Sequence, residues 1–249
     1  MFPLHHQYTL VRTLEVPQIC PLPSIRSERA ATVAKWFGID DLIDHPKPPV
    51  LNLRKQRTLL RTLVPDSRQI TFFTGPSGAG KSSMLRALQQ FRRRTTFVDL
   101  NRISLAEVPL VDCFEQAPLD QTLALLAQVG LAEAWTYLRT PGELSEGQRW
   151  RLRLALGMRR AQSEMRCRNQ ADGDNAKPHR VILLIDEFGA LLDRVTAAIV
   201  ARCLRRAITA TPNLGAAVAT SHEDLTGALC PDTIVHCDFQ LIEIRKRTS

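Results

Sequence analysis

A lysine followed by two serines closes the run Gly75-Pro76-Ser77-Gly78-Ala79-Gly80-Lys81-Ser82-Ser83, which fits the pattern G-x-x-x-x-G-K-[ST]. Each residue type has a chemical reason. Glycines let backbone N–H groups turn inward around phosphate oxygens, and a helix N-terminus behind them adds positive potential. In such a loop Lys81 reaches the β- and γ-phosphates of a nucleoside triphosphate, and the Ser82 hydroxyl completes a Mg²⁺ shell. A plain Gly-rich turn between strand and helix is the bland alternative, but it has no use for a Lys-Ser pair in register with both elements. The pattern predicts binding of ATP or GTP and does not itself choose the base.

The flanking residues supply the elements such a loop needs. Gln69 to Thr74 is β-branched and aromatic and reads as a strand running into the loop. Ser82 to Arg92 carries Met84, Leu85, Leu88 and Phe91 at helical spacing, so a helix leaves it. Thr95 to Leu100 is a second strand, residues 101–117 look irregular, and helices are predicted over Leu119–Val129 and Leu131–Leu138. Val181-Ile182-Leu183-Leu184-Ile185 is continuously apolar, as a strand buried on both faces must be, and ends in Asp186-Glu187. A helix within Ala190–Ile208, a short strand at Ala216–Thr220 ending in Ser221-His222, and closing strands within Ile234–Ile244 complete the series. Strand–helix alternation on this scale predicts an α/β fold with a mostly parallel sheet flanked by helices on both faces. Leu51 to Leu63, with leucines among basic residues, reads equally as strand or helix.

A second short motif, Leu144-Ser145-Glu146-Gly147-Gln148 followed by Arg149-Trp150-Arg151, narrows the choice. It resembles the L-S-G-G-Q signature of ATP-binding-cassette (ABC) ATPases. The order of phosphate loop, signature, apolar strand with Asp-Glu, Asp-containing loop and His after a strand is similar to that family over about residues 65–240. The resemblance implies a P-loop NTPase fold with a small helical signature subdomain, and ATP rather than GTP. It implies that Asp186 holds Mg²⁺ together with Ser82. Glu187 is implied as the general base, adjacent strand-end residues pointing to metal and γ-phosphate respectively. His222 is implied as the histidine on the γ-phosphate and Asp193 as the loop aspartate that communicates across a dimer, although Asp193 also reads as the cap of the next helix. The signature would close, in trans, over ATP on the other copy's phosphate loop, so the implied unit is a head-to-tail homodimer enclosing two ATP.

The sequence departs from the family pattern in places. Glu146 stands where the signature usually has glycine. No aromatic precedes the phosphate-loop strand at the usual distance for adenine stacking; Trp36 and Phe37 lie further upstream and read better as packing for a short helix over Glu28–Phe37, capped by Ser27. The family's loop glutamine is represented by Gln116 or Gln121, with Gln116 preferred for its position ahead of the signature region. On this basis the chain divides into a Pro-rich N-terminal extension packed on the main domain (residues 1–50) and an ABC-type ATPase domain (51–249). The latter contains a helical subdomain over about 116–160 and a polar surface insertion over about 162–180.

Composition bounds the partners. The net charge of +8 and pI near 9.6 point to an acidic partner such as nucleic acid or an anionic membrane surface, although nucleotide binding itself uses some of that charge. Arg149, Arg151, Arg153, Arg159, Arg160, Arg166 and Arg168 form a dense basic stretch that reads as a solvated helix face, as residues serving ATP at a dimer interface, or as a nucleic-acid site. Six cysteines without a C-x-x-C pair argue against a metal site. Met1 to Leu10 lacks the apolar core of a signal peptide, and the longest apolar run is far too short to span a bilayer. A cytoplasmic protein is expected, with any membrane role exercised through a partner. Three roles fit: a soluble ABC ATPase that moves a partner other than a channel, the ATPase subunit of a transporter with a membrane permease, or an ATP-gated clamp on nucleic acid. The overall run, including Glu143–Arg149 and Leu184–Ala197, also resembles a group of soluble ABC ATPases, some of them joined to an acetyltransferase-like domain, for which this chain has no room. The segment 116–144 looks short for a transporter subunit.

Overall fold

The computed structural model describes residues 8–15, 27–38, 53–114, 117–172, 179–238 and 241–248. Seven strands pair in one sheet: β1 (Tyr8–Glu15), β2 (Ile70–Thr74), β3 (Thr95–Asp99), β4 (Arg180–Ile185), β5 (Leu214–Ala219), β6 (Thr233–Cys237) and β7 (Leu241–Arg247), in the order β1-β7-β6-β2-β5-β4-β3. The five strands from β6 to β3 are mutually parallel, and β7 and β1 extend one edge by antiparallel pairing. Every residue of β2 and β5 is buried, as is all of β4 beyond Arg180. Such strands read as unbroken apolar runs because helices cover both faces.

The helices are α1 (Glu28–Trp36), α2 (Leu53–Leu63), α3 (Lys81–Leu88), α4 (Leu119–Gln128), α5 (Ala134–Tyr137), α6 (Glu146–Asp172), α7 (Arg194–Ala210) and α8 (Thr226–Leu229). Alternate strand residues point to opposite layers. Phe72, Leu183 and Val218 meet Leu125 of α4, Leu152 of α6 and Leu204 of α7. Phe73, Leu184 and Ala217 meet Leu59 and Leu63 of α2 and Leu85 and Leu88 of α3. A half-buried carboxylate joins three elements: Asp232 accepts the Ile70 N–H at 2.9 Å and pairs with Arg205 at 2.6 Å and Arg247 at 2.8 Å.

Several sequence expectations change here. Residues 8–15, read as part of an extension resting on the domain, are an edge strand of the sheet itself, and the Tyr8 hydroxyl donates to the Pro231 carbonyl. The edge position leaves Leu10 and Val11 exposed, so no clean alternation marks the strand. Ser27 does cap α1, accepting the Ala30 N–H, but Trp36 and Phe37 are 77% and 75% exposed and do not pack it. The ambiguous leucine-rich segment is helical from Leu53. The stretch after β3 holds two short 3₁₀ helices, Leu100–Arg102 and Leu110–Phe114, that bury Leu100, Leu110 and Phe114. Finally, α6 does not stop near residue 160; it runs on to Asp172, so the first half of the segment read as a surface insertion is helix. The reason is a buried stripe at Trp150, Leu154, Met158, Ala161 and Met165, which keeps helical spacing while the outer face becomes polar.

Candidate functional site

Strand β2 delivers the chain to Gly75, which has φ +128°. A Cβ there would lie 1.9 Å from the Cys237 carbonyl oxygen, because the end of β6 passes directly against the loop. Gly80, with φ +86°, turns the chain into α3 without a side-chain cap. The first turn of α3 therefore has no side-chain cap, and the N–H groups of such a turn are the donors with which helices bind anions. Lys81 folds back over the loop, donating from Nζ to the carbonyls of Gly75 at 2.8 Å and Pro76 at 2.7 Å.

The neighbouring strands complete a cleft. Because β2, β5 and β4 are adjacent and parallel, their C-terminal ends bring three distant segments together. The cleft is about 400 Å³ and is lined on one side by Ser77, Gly78, Gly80, Lys81, Ser82 and Ser83. Its other wall carries Asp186, Glu187, Ala190, Thr220 and Ser221. Glu187 has φ +53°, an uncommon conformation for a residue with a side chain, and its N–H donates to Asp186 Oδ1 at 3.1 Å. The strained turn is clamped from behind. Phe188 donates its N–H to the Ala219 carbonyl and is fully buried against Trp150, edge to face, with ring centroids 5.3 Å apart.

Other candidates from the sequence take different places. His222 is half-buried beside the cleft, its N–H bonded to Thr220 Oγ1, and is not part of the wall; Thr220 and Ser221, which sequence reasoning passed over, are. Gly75, Pro76 and Ala79 shape the loop without lining the cleft. Leu144, Ser145, Glu146, Gly147 and Gln148 lie outside it too. Ser145 and Gln148 cap α6 reciprocally, the Gln148 N–H donating to Ser145 Oγ and the Ser145 N–H to Gln148 Oε1. A Cβ on Gly147 would sit 2.8 Å from the Leu191 carbonyl, so the start of α6 rests on the loop that leads to Asp193. Asp193 caps α7 through the Thr196 N–H at 2.9 Å. Glu146 is exposed and reaches Arg149. Gln116 lies outside the described residues, and Gln121 is exposed on α4, away from the cleft. Trp36 and Phe37 do not line the cleft either.

Local electrostatics follow from these contacts. The Thr196 hydroxyl and backbone N–H hold the Asp193 carboxyl below its ordinary range. The Thr140 N–H and hydroxyl do the same for Glu143, at the capped turn that leads into the signature. Burial pushes the Cys237 thiol, beneath the phosphate loop, up to about 12 against the lowering influence of Lys81. Among the described residues no group of three or more His, Cys, Asp or Glu side chains could hold a metal on its own. Magnesium asks for less: one or two protein oxygens, with phosphates and waters filling the octahedron, and Ser82 and Asp186 face the same cleft as such donors.

No family model matches the sequence, and no curated protein matches it. Solved structures do match the fold. A chain described as a metal-chelate-type ABC transporter in an inward-facing conformation is 18% identical, with 72% of each chain covered and a TM-score of 0.51. The ABC cassette MJ0796, dimeric in a post-hydrolysis state with ADP and phosphate, is 17% identical over 70% of this chain and 82% of its own, with a TM-score of 0.47. The cbiO1 component of the cbiONQ transporter complex from Clostridium perfringens is 16% identical over 73% and 78%, with a TM-score of 0.48. The chain has the P-loop α/β fold of ABC ATPase domains.

Proposed function

We propose that this chain hydrolyses ATP as an ABC-type ATPase, two copies closing head to tail over two ATP–Mg²⁺. The observation that carries the reading is the cleft in which Lys81 and Ser82, after β2, face Asp186 and Glu187, after β4, on either side of the parallel strand β5. Glycine conformations at 75, 78 and 80 fit a loop that wraps phosphate with its backbone. In this reading Lys81 leaves its two loop carbonyls for the β- and γ-phosphates. Ser82 and Asp186 hold Mg²⁺, which would neutralise phosphate charge, and Glu187 orients and deprotonates the attacking water. Ser221 and Thr220 face the same space and offer hydroxyls to the γ-phosphate side, with His222 close by. The residues Leu144–Gln148 lie outside this cleft on their own chain, which supports a site completed by the second copy's capped α6 N-terminus. The division into an extension (residues 1–50), an ATPase domain (51–249) and a helical subdomain belongs to the same reading, with β1 now joining the sheet of the domain.

Glu187→Gln tests it. Steady-state hydrolysis should fall by roughly 10²–10⁴-fold, the share typical of a positioned general base. ATP binding should persist and the variant should accumulate as a dimer, measured by light scattering after gel filtration with ATP and Mg²⁺. A variant that hydrolyses at the wild-type rate removes Glu187 from the chemistry. One that stays monomeric removes the head-to-tail sandwich.

A second reading, the ATPase subunit of a membrane transporter, is favoured by exposed apolar side chains on the helical subdomain. Leu119, Trp135 and Leu138 are 62%, 79% and 67% exposed, a surface suited to another protein. Among the described residues no helix is long and apolar enough to cross a membrane, so such a role needs a permease on another chain. Copurification with an integral membrane protein that is lost in Trp135→Ala supports this second reading; a self-sufficient ATPase in the soluble fraction with no such companion opposes it.

A further inference from the structure

We propose that a basic cleft along β3, on the sheet edge remote from β1, binds the phosphate backbone of nucleic acid. The cleft is about 770 Å³ and is formed where three separate segments meet the outermost strand. Arg92 and Arg94 come from the turn between α3 and β3, Arg102 from the 3₁₀ turn after it, and Arg160 and Arg168 from the far half of α6. All five are exposed. Thr96 and His179, bonded to one another at 2.8 Å, form its floor. The lining contains one carboxylate, Asp99, already engaged by the Asn101 N–H at 3.0 Å and Arg102 at 3.5 Å.

The structure also sorts the arginine stretch of α6. Arg149 donates to the Leu144 carbonyl and Arg151 to the Gly130 carbonyl, so both serve the local fold. Only Arg160 and Arg168 of that stretch line the cleft. Their partners lie 58 to 76 residues earlier in the chain, which is why no sequence window showed the patch.

The chemistry of the lining selects the occupant. Protein interfaces are anchored by buried aromatic and aliphatic side chains and are depleted of charge at their centre. Here the apolar members are Phe97, half-buried, and Val98, buried in the core, while the accessible wall is guanidinium. A phosphodiester backbone asks for nothing else: guanidinium forks match its oxygens two by two, without reading bases. Of the 33 basic residues in the chain 27 are arginine, the side chain best suited to that geometry. The binding needs no nucleotide, so it stands or falls separately from the ATPase reading.

The test is fluorescence anisotropy of the full chain with a labelled mixed-sequence duplex of about 20 bp, without nucleotide, across a salt series. If all five arginines meet phosphates, the log–log salt slope is about −4.5, so affinity falls about 500-fold between roughly 50 and 200 mM salt. Arg160→Gln/Arg168→Gln should reduce the slope to about −2.7 and the loss over the same range to about 40-fold. Its circular-dichroism melt should match wild type, since both side chains are exposed. Arg202→Gln/Arg206→Gln, which removes the same charge from exposed positions on α7, should leave the slope unchanged. Three results overturn the proposal: no duplex binding at low salt, equal losses in the two double variants, or poly-glutamate displacing the duplex at equal charge concentration. The last outcome would assign the cleft to an acidic protein instead.

Discussion

Replacing Gly75 by alanine separates the two reasons a phosphate loop uses glycine. At Gly75 an added Cβ meets the Cys237 carbonyl oxygen at 1.9 Å, a contact with backbone that cannot rotate away, and φ is +128°. At Gly80 the backbone is also left-handed, φ +86°, but nothing lies within 4 Å of the Cβ position. Conformational strain alone costs roughly 1–2 kcal/mol for a residue with a side chain in that region. The Gly75 clash adds an overpacking cost of roughly 1–3 kcal/mol, because either β6 or the loop must shift. Gly75→Ala should therefore destabilise by about 2–5 kcal/mol and Gly80→Ala by about 1–2 kcal/mol. In a domain of this size 1 kcal/mol corresponds to roughly 2–4 °C in Tm. The expected losses are thus about 4–20 °C and about 2–8 °C, read by thermal denaturation without nucleotide. A fluorescent ATP analogue should bind more weakly to both, since both variants distort the loop backbone. Equal Tm shifts would refute the argument, for they would mean that the loop relaxes away from β6 freely and that the close approach is not what demands glycine there.

Other outcomes follow from particular contacts. Asp232→Ala should cost about 3 kcal/mol, since it strands Arg205 and Arg247 in a half-buried site and frees the Ile70 N–H; urea unfolding checks it. Asp193→Ala should cost about 1 kcal/mol through loss of the α7 cap, and a smaller stability change with a large fall in ATPase rate would instead reveal a role between subunits. Cys237, buried with its thiol pushed up to about 12, should resist a maleimide at pH 8 while exposed Cys167 reacts, as mass spectrometry of the labelled peptides would show. Tyr8 is also pushed up to about 12, chiefly by burial and then by Cys230. Both groups are neutral when folded at a pH where the unfolded chain releases their protons, so the unfolded state binds fewer protons and stability falls as pH rises. The loss should begin near pH 9–10 and continue towards pH 12; a Tm that holds constant through that window would contradict the burial of these two groups.

What could be read before the structure divides by the range of the interactions concerned. The glycine-rich turn from β2 into α3 was legible because the turn and the helix entry lie within nine residues, and β2, β4 and β5 because burial on both faces forces continuous apolar runs. Strand β1 escaped because its pairing is with residues more than two hundred positions away and half of it faces solvent. The far half of α6 escaped because a narrow buried stripe suffices once a helix has begun, and polar composition conceals it. The cleft wall is the subtler case. Ser221 and His222 are adjacent, and a histidine draws the eye as the more reactive group. Yet it is Thr220 and Ser221 that line the cleft, because the His222 N–H is tied to Thr220 Oγ1 where the chain turns into the next helical segment. The same long-range logic joins both clefts. Parallel strands gather distant segments at their ends, as at Lys81, Asp186 and Ser221, and an outermost strand gathers whatever helices pass its open side. Helix α3 begins at the phosphate loop and leads to Arg92, and α6 begins at the signature and carries Arg160 and Arg168. Both walls of the basic cleft are therefore continuous with elements that the proposed ATPase reading assigns to ATP.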